Sequence, residues 1–238
     1  QNKEKLELEF QKRTEELEQV LQETCRHYVT TYKEFEPEHT KVTVARCKSY
    51  PRTKREMVYE DIILDNSARK RVGLKTLTGG RIQGYGEFKS DGKFVYDDNT
   101  AKIDWVRDFL QDTNEVVSIF YSYNVERDLL IELLEKLGKT YVVISGDTVN
   151  KYDTINNQEY DVVIGQYKAM SESLDGLQFK CHISILYSMP ESSLTYKQSI
   201  GRIDRDGQKH QPMYYYLIME KTVDADIYEL IENKIEFT

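Results

Sequence analysis

Val116-Val-Ser-Ile-Phe-Tyr121 is a nearly unbroken apolar run, and its reading decides the fold class. A strand with one face in water alternates apolar and polar residues. A continuous apolar run belongs to a strand covered on both faces, as in a parallel sheet. Three more runs of this kind follow: Tyr141-Val-Val-Ile-Ser145, Asp161-Val-Val-Ile-Gly-Gln166 and His182-Ile-Ser-Ile-Leu-Tyr-Ser188. Helical patterns lie between them. Residues 100–111 carry Ile103, Trp105, Val106, Phe109 and Leu110, and residues 125–137 end at Gly138. A further helix is expected from Ser192 or Ser193, both good N-caps, to about Asp204. Residues 213–219 read as a fifth strand and residues 223–235 as a last helix. Strand–helix repetition with short links predicts an α/β domain over residues 100–238, a doubly wound, mainly parallel sheet with flanking helices.

Residues 1–99 have a different rhythm and are expected to be a helical and hairpin extension in front of that domain. Leu6, Phe10, Leu17, Leu21 and Tyr28 recur at helical spacing over residues 3–36, and Pro37 ends the pattern. Lys41 to Cys47 is a short β-like run. Residues 52–77 return to a charged helical pattern that Gly79-Gly80 stops. Asp91-Gly92 between two β-like runs predicts a hairpin over residues 81–97.

The chain has 238 residues, 39% hydrophobic and 31% charged. That mixture builds a core and argues against global disorder. The apolar runs are far too short for a membrane span, and no signal peptide pattern opens the chain. An intracellular, cytoplasmic setting is expected. Cys25, Cys47 and Cys181 are far apart and form no CxxC pair, which fits free thiols. The four histidines lack metal-ligand spacing, so no metal site is expected. A net charge of −8 argues against coating nucleic acid by bulk charge. It leaves room for a narrow local track. The chain begins with Gln, and is expected to be a piece of something longer.

Chemistry concentrates in Gln198-Ser-Ile-Gly-Arg-Ile-Asp-Arg-Asp-Gly-Gln208. Arg202 and Arg205 are three apart, so on a helix they share a face. Guanidinium is planar, permanently charged and bidentate, and two on one face suit a triphosphate. Gly201 leaves room for close approach of a ligand or chain. The plain alternative is that both arginines pair with Asp204 and Asp206 on a solvated helix end.

The whole pattern, Gln-x-x-Gly-Arg-x-x-Arg-x-Gly-Gln, resembles motif VI of superfamily 2 helicases, especially the Swi/Snf-type branch with its phage and bacterial members. The order of segments is similar too. Residues 116–121 resemble motif IV. Residues 163–168 through Asp175-Gly-Leu-Gln-Phe179 resemble motif V. Gln178 stands where that family commonly has Asn, and Asp204 where many members have His. The resemblance covers roughly residues 100–238 and implies the C-terminal RecA-like domain of a helicase or translocase. Residues 1–99 then hold the inter-motor linker region.

The resemblance further implies roles. Arg205 is the expected arginine finger, Arg202 contacts phosphates or holds the motif in place, and Gln198 orients the site. Gly201, Asp175 and Gly176 are expected beside the nucleotide. The carboxyl ends of parallel strands gather ligands. There Tyr121, Ser122, Gly146, Gln166, Tyr167 and Lys168 are expected to grip a nucleic-acid backbone, with DNA as the expected partner.

A complete motor also needs a phosphate loop, Gly-x-x-x-x-Gly-Lys-Ser/Thr, and none is present. Gly73-Leu-Lys-Thr76 has only its tail and lies in a helical stretch. ATP and Mg2+ are therefore expected to be held mainly by an N-terminal RecA-like domain of the same protein, outside this chain. This chain alone is expected to be inactive as an ATP hydrolase. The alternative reading is a catalytically silent RecA-like module that binds nucleic acid or protein. A Rossmann dinucleotide site is disfavoured, since Gly-x-Gly-x-x-Gly follows none of the strands.

Overall fold

A computed structural model describes residues 41–47, 70–88, 90, 94–98, 101–171, 174–190, 192–219 and 222–236. All of them fall in the unit Thr40–Thr238. The helix expected over 3–36, and the first part of the one expected over 52–77, lie outside the described residues.

Among the described residues, six strands form one sheet in the order β1-β8-β7-β4-β6-β5. They are β1 (Lys41–Cys47), β4 (Val117–Tyr121), β5 (Tyr141–Ile144), β6 (Val162–Gln166), β7 (Ile183–Leu186) and β8 (Met213–Met219). Every neighbouring pair is parallel. β2 (Arg81–Phe88) and β3 (Phe94–Asp98) form a separate antiparallel pair, the expected hairpin. The Lys41–Cys47 run, which the sequence places ahead of the sheet, pairs with β8 at its edge, Lys41 opposite Met213 through Cys47 opposite Met219.

The helices are α1 (Lys70–Thr78), α2 (Ala101–Asp112), α3 (Asn124–Leu137), α4 (Lys151–Asn156), α5 (Tyr167–Ser171), α6 (Ser193–Ile200) and α7 (Val223–Glu236). Two apolar layers sandwich the sheet. On one face Val106, Leu110, Leu130 and Leu134 of α2 and α3 meet Val117, Ile119, Ile164 and Ile185. On the other, Phe120, Val163 and Leu186 meet Ile155, Met170, Tyr196 and Ile227, from α4 to α7. Successive residues of β4 thus enter opposite cores. That is why the run does not alternate: each fully buried Ile or Phe contributes about 1.5–3 kcal/mol on either face.

Two differences from the expected elements matter. α4, α5 and a 3-10 turn at Leu177–Phe179 are additional; six, five and three residues are too few for helical periodicity to register. α6 starts as expected, with Ser192 Oγ accepting the Thr195 N–H, but ends at Ile200 rather than near Asp204. Gly201 caps it, and residues 201–207 continue as turns. Among the described residues no helix is long and apolar enough to cross a membrane.

The chain order explains where a site forms. From β4 the chain builds β5 and β6 on one side, then crosses to build β7 and β8 on the other. The reversal lies between β4 and β7, and open α/β sheets bind ligands at the carboxyl ends beside such a switch.

Candidate functional site

The turn over 201–208 is anchored at both ends. Ile203 is fully buried. Gln208 is buried and uses its amide completely: Nε2 donates to the Cys181 and Ile203 carbonyls, and Oε1 accepts the Lys209 and His210 N–H groups. Gly207 has φ +90, and an added Cβ would sit 2.5 Å from the Phe179 ring, so only glycine fits there. The Tyr214 hydroxyl donates to the Ile200 carbonyl at 2.6 Å and pins the end of α6.

The two arginines between these anchors differ. Arg202 donates from Nη1 to the Leu174 carbonyl at 2.6 Å and from Nη2 to the Ser171 carbonyl. Its Nε is buried and has no partner. Burial, and then neighbouring Arg205, lower its pKa. Arg205 donates from Nη1 to Asp175 Oδ1 at 2.9 Å, with the two side chains 46% and 61% exposed. Both arginines therefore reach residues at or beyond the end of α5: Ser171 and Leu174 for Arg202, Asp175 for Arg205. Neither ion-pairs with Asp204 or Asp206 among the described residues, so the plain alternative of a self-paired helix end does not hold. Asp204 is half-buried, which raises its pKa.

The other residues expected at the nucleotide lie close by in the fold. Gln198 is exposed near the end of α6, and Gly201 follows it. An added Cβ at Gly201 would meet nothing nearer than the Lys197 carbonyl at 3.4 Å, so the surroundings leave it open. Asp175 precedes Gly176, whose N–H donates to Gln178 Oε1 at 3.1 Å. Gln178 thus holds the turn that presents Asp175. Among the described residues no three His, Cys, Asp or Glu side chains gather to hold a metal ion. The donors here suit phosphate oxygens.

The strand-end residues fall into two groups. Gly146 and Lys168 are exposed, and Ser122 and Gln166 are half-buried. Tyr121 is 1% and Tyr167 5% exposed, so their rings lie in the two cores. The Tyr167 hydroxyl donates to the Ser188 carbonyl at 2.7 Å, and Gln166 Nε2 donates to the Ser122 carbonyl at 3.1 Å. The ends of β4, β6 and β7 are thereby tied together.

Beneath that edge lies a buried polar network that sequence reasoning missed. Lys102 pairs with Asp224 at 2.6 Å and donates to the Tyr187 carbonyl. Thr78 donates to Asp224 Oδ1 at 3.0 Å. Lys75 donates to the Met189 carbonyl at 3.0 Å, so the phosphate-loop-like Gly73-Leu-Lys-Thr76 holds a structural lysine. Thr76 bonds back to the Val72 and Gly73 carbonyls of its own helix. Glu126 is fully buried, and burial raises its pKa against the lowering effect of Lys102. One signal was available: Glu126 follows Tyr123 by three residues, the spacing of a reciprocal helix cap.

No protein-family model matches the chain, and no curated protein matches it. Among solved structures, the crystal structure of the C-terminal part of the Fun30 ATPase domain matches with a TM-score of 0.62 at 13% identity, over 80% of this chain and 88% of that one. The C-terminal domain of the DEAD-box protein Dbp5 aligns at a TM-score of 0.49 and 16% identity, over 59% of this chain and 81% of that one, a likeness too slight to argue from. With its parallel sheet, six-stranded among the described residues, and the likeness to that structure, the chain has the RecA-like α/β fold of the C-terminal part of the Fun30 ATPase domain.

Proposed function

We propose that this chain is the second motor domain of an ATP-dependent helicase or translocase of the Swi/Snf type, and that Arg205 is its arginine finger. The observation that carries this reading is the contrast within one turn. Arg202 is committed to two backbone carbonyls, whereas Arg205 is nearly half exposed and held by one exposed carboxylate. An exposed ion pair contributes only about 0–1 kcal/mol, so Arg205 can exchange Asp175 for a phosphate at little cost. Its charge then stabilises charge developing on the transferred phosphoryl group. Arg202 holds the backbone at Ser171 and Leu174 in place, Gln198 orients the site from α6, and Gly201 gives the partner room.

ATP and Mg2+ are held mainly by an N-terminal RecA-like domain, which supplies the phosphate loop and metal ligands. The nucleic acid, DNA in this reading, runs along the carboxyl ends of the strands. Ser122, Gln166, Lys168 and the backbone at Gly146 face its phosphates. Tyr121 and Tyr167 support that edge from within the cores. Positioning contacts of this kind grip the backbone without reading sequence.

The test is steady-state ATP hydrolysis by the complete protein. Arg205→Ala removes turnover and leaves much of the nucleotide binding; unchanged turnover refutes the finger. The 238-residue chain alone hydrolyses ATP negligibly, and activity there that Arg205→Ala abolishes would overturn the half-site reading. For the edge, Gln166→Ala with Lys168→Ala weakens DNA binding in the complete protein, and unchanged affinity removes the assignment.

A further inference from the structure

We propose that Glu126 is a buried positioning residue that packs beneath the Gly79-Gly80 turn and holds Ser122 and Ser188 in the geometry the strand-end edge uses. The proposal rests on the nucleic-acid edge described above and names what organises it.

One oxygen of Glu126, Oε2, accepts three donors: the Ser122 N–H at 2.9 Å, the Tyr123 N–H at 3.1 Å and Ser188 Oγ at 2.9 Å. Ser122 follows β4 and Ser188 follows β7, so the carboxyl group spans the two strands at the switch point. The two serine hydroxyls lie 3.0 Å apart, and the Ser122 N–H is also 3.1 Å from Ser188 Oγ. Through the Ser122 and Ser188 carbonyls, the same pair receives Gln166 from the end of β6 and Tyr167 from the start of α5. Two strand ends thus meet on one carboxyl group, and the end of β6 is tied to them.

The other oxygen, Oε1, is buried without a hydrogen-bond partner. It faces Gly79, where an added Cβ would lie 2.4 Å from it. The Gly79 carbonyl in turn accepts the Tyr187 hydroxyl at 2.8 Å. A helix cap can work at the surface with one satisfied oxygen. Burying a carboxyl group with one oxygen unpaired costs stability that an apolar residue of similar volume would recover. The group is therefore suited to holding geometry, and Gly79 is the glycine that lets the turn after α1 close over it.

The experiment uses the 238-residue chain with two readouts. Amide hydrogen exchange at Ser122 and Tyr123 reports the local geometry. Anisotropy with short fluorescein-labelled single-stranded and duplex DNA reports the edge. Glu126→Ala is expected to speed exchange at both amides relative to Ile164 and to weaken DNA binding by about tenfold or more. Glu126→Gln keeps an oxygen for the same donors and restores both readouts to within about threefold of the unaltered chain. Gly79→Ala alters no edge residue, yet is expected to speed exchange at Ser122 and Tyr123 by displacing Oε1. If Glu126→Ala does not fold, Gly79→Ala and Glu126→Gln decide. Unchanged exchange in Gly79→Ala, or faster exchange with unchanged DNA affinity, overturns the proposal. If the unaltered chain binds neither DNA, the nucleic-acid reading fails separately, while the exchange data still decide whether Glu126 orders the strand ends.

Discussion

At the strand ends, fully buried Glu126 takes three donors on one oxygen. In the 201–208 turn, Arg205 stands nearly half in solvent with a single carboxylate partner. The first region is over-determined: its donors come from two strand ends, and moving one disturbs the others. The second holds one cation by a single exposed carboxylate, on a turn anchored by Gln208 and Arg202. The difference separates scaffold from tool. A group whose hydrogen-bonding capacity is filled by backbone cannot turn to a ligand without unfolding something. A group held by one screened ion pair can.

The sharpest way to break this comparison is turnover in the complete protein. Arg205→Ala is expected to lower the hydrolysis rate by roughly 10³–10⁵, the range for arginine fingers in other phosphoryl-transfer systems, while nucleotide binding changes little. Equal binding with unchanged rate would make Arg205 an ordinary surface arginine.

Stability separates the two arginines next. Arg202→Ala leaves the Leu174 and Ser171 carbonyls without their donor and is expected to cost about 1–3 kcal/mol in urea unfolding. Gln208→Ala strips partners from two carbonyls and two N–H groups and falls in a similar range of about 1–3 kcal/mol. The reverse ranking, with Arg205→Ala more destabilising than either, would erase the distinction between scaffold and tool.

Alkaline pH sharpens it further. Burial raises the Tyr214 and Tyr216 hydroxyls well above the ordinary value of about 10 and pushes the Cys181 thiol up to about 12. Their pKa is raised in the folded state, so the unfolded chain loses these protons first. The stabilisation is fully present below the unfolded values and is lost as pH rises through the folded ones. The urea midpoint is expected to fall from about pH 9 upward. Tyr214 supports the end of α6, so exchange at Gly201 and Arg202 should rise before exchange at Ser122. Simultaneous loss at both places would show that one cooperative unit carries both regions.

The smallest effect concerns Asp175. Asp175→Asn removes an exposed ion pair and is expected to change stability by less than about 1 kcal/mol. A larger loss would mean that Arg205 is held more firmly than its exposure implies, and would weaken its assignment as the arginine finger.

Much of the framework was legible. The β6 run, 161–166, and the β8 run, 213–219, mark their strands to within a residue, because a strand covered on both faces must be apolar along its length. The 198–208 pattern stood out because several unusual residues share a fixed spacing. Its conformation was less legible. Arg202 and Arg205 suggest one helical face, yet α6 stops at Ile200 and the arginines reach Ser171, Leu174 and Asp175 from the turns that follow. Tyr121 and Tyr167 read as ligands from their place at strand ends. Their burial follows from helices covering both faces of the sheet: Tyr121, the last residue of β4, and Tyr167, the first of α5, turn into opposite cores.

Local composition by itself determined the layer order of this protein: apolar runs make central strands, and capped amphipathic runs make covering helices. Tertiary structure alone decided where the buried charges meet. Thr78 reaches Asp224 across 146 positions, Lys75 reaches Met189 across 114, and Ser188 reaches Glu126 across 62. The physical reason is range. Hydrophobic burial acts on every residue of a run and leaves a periodic trace in the sequence. A hydrogen bond needs one donor within about 3 Å of one acceptor, and distant segments bring them together only when the whole sheet has assembled.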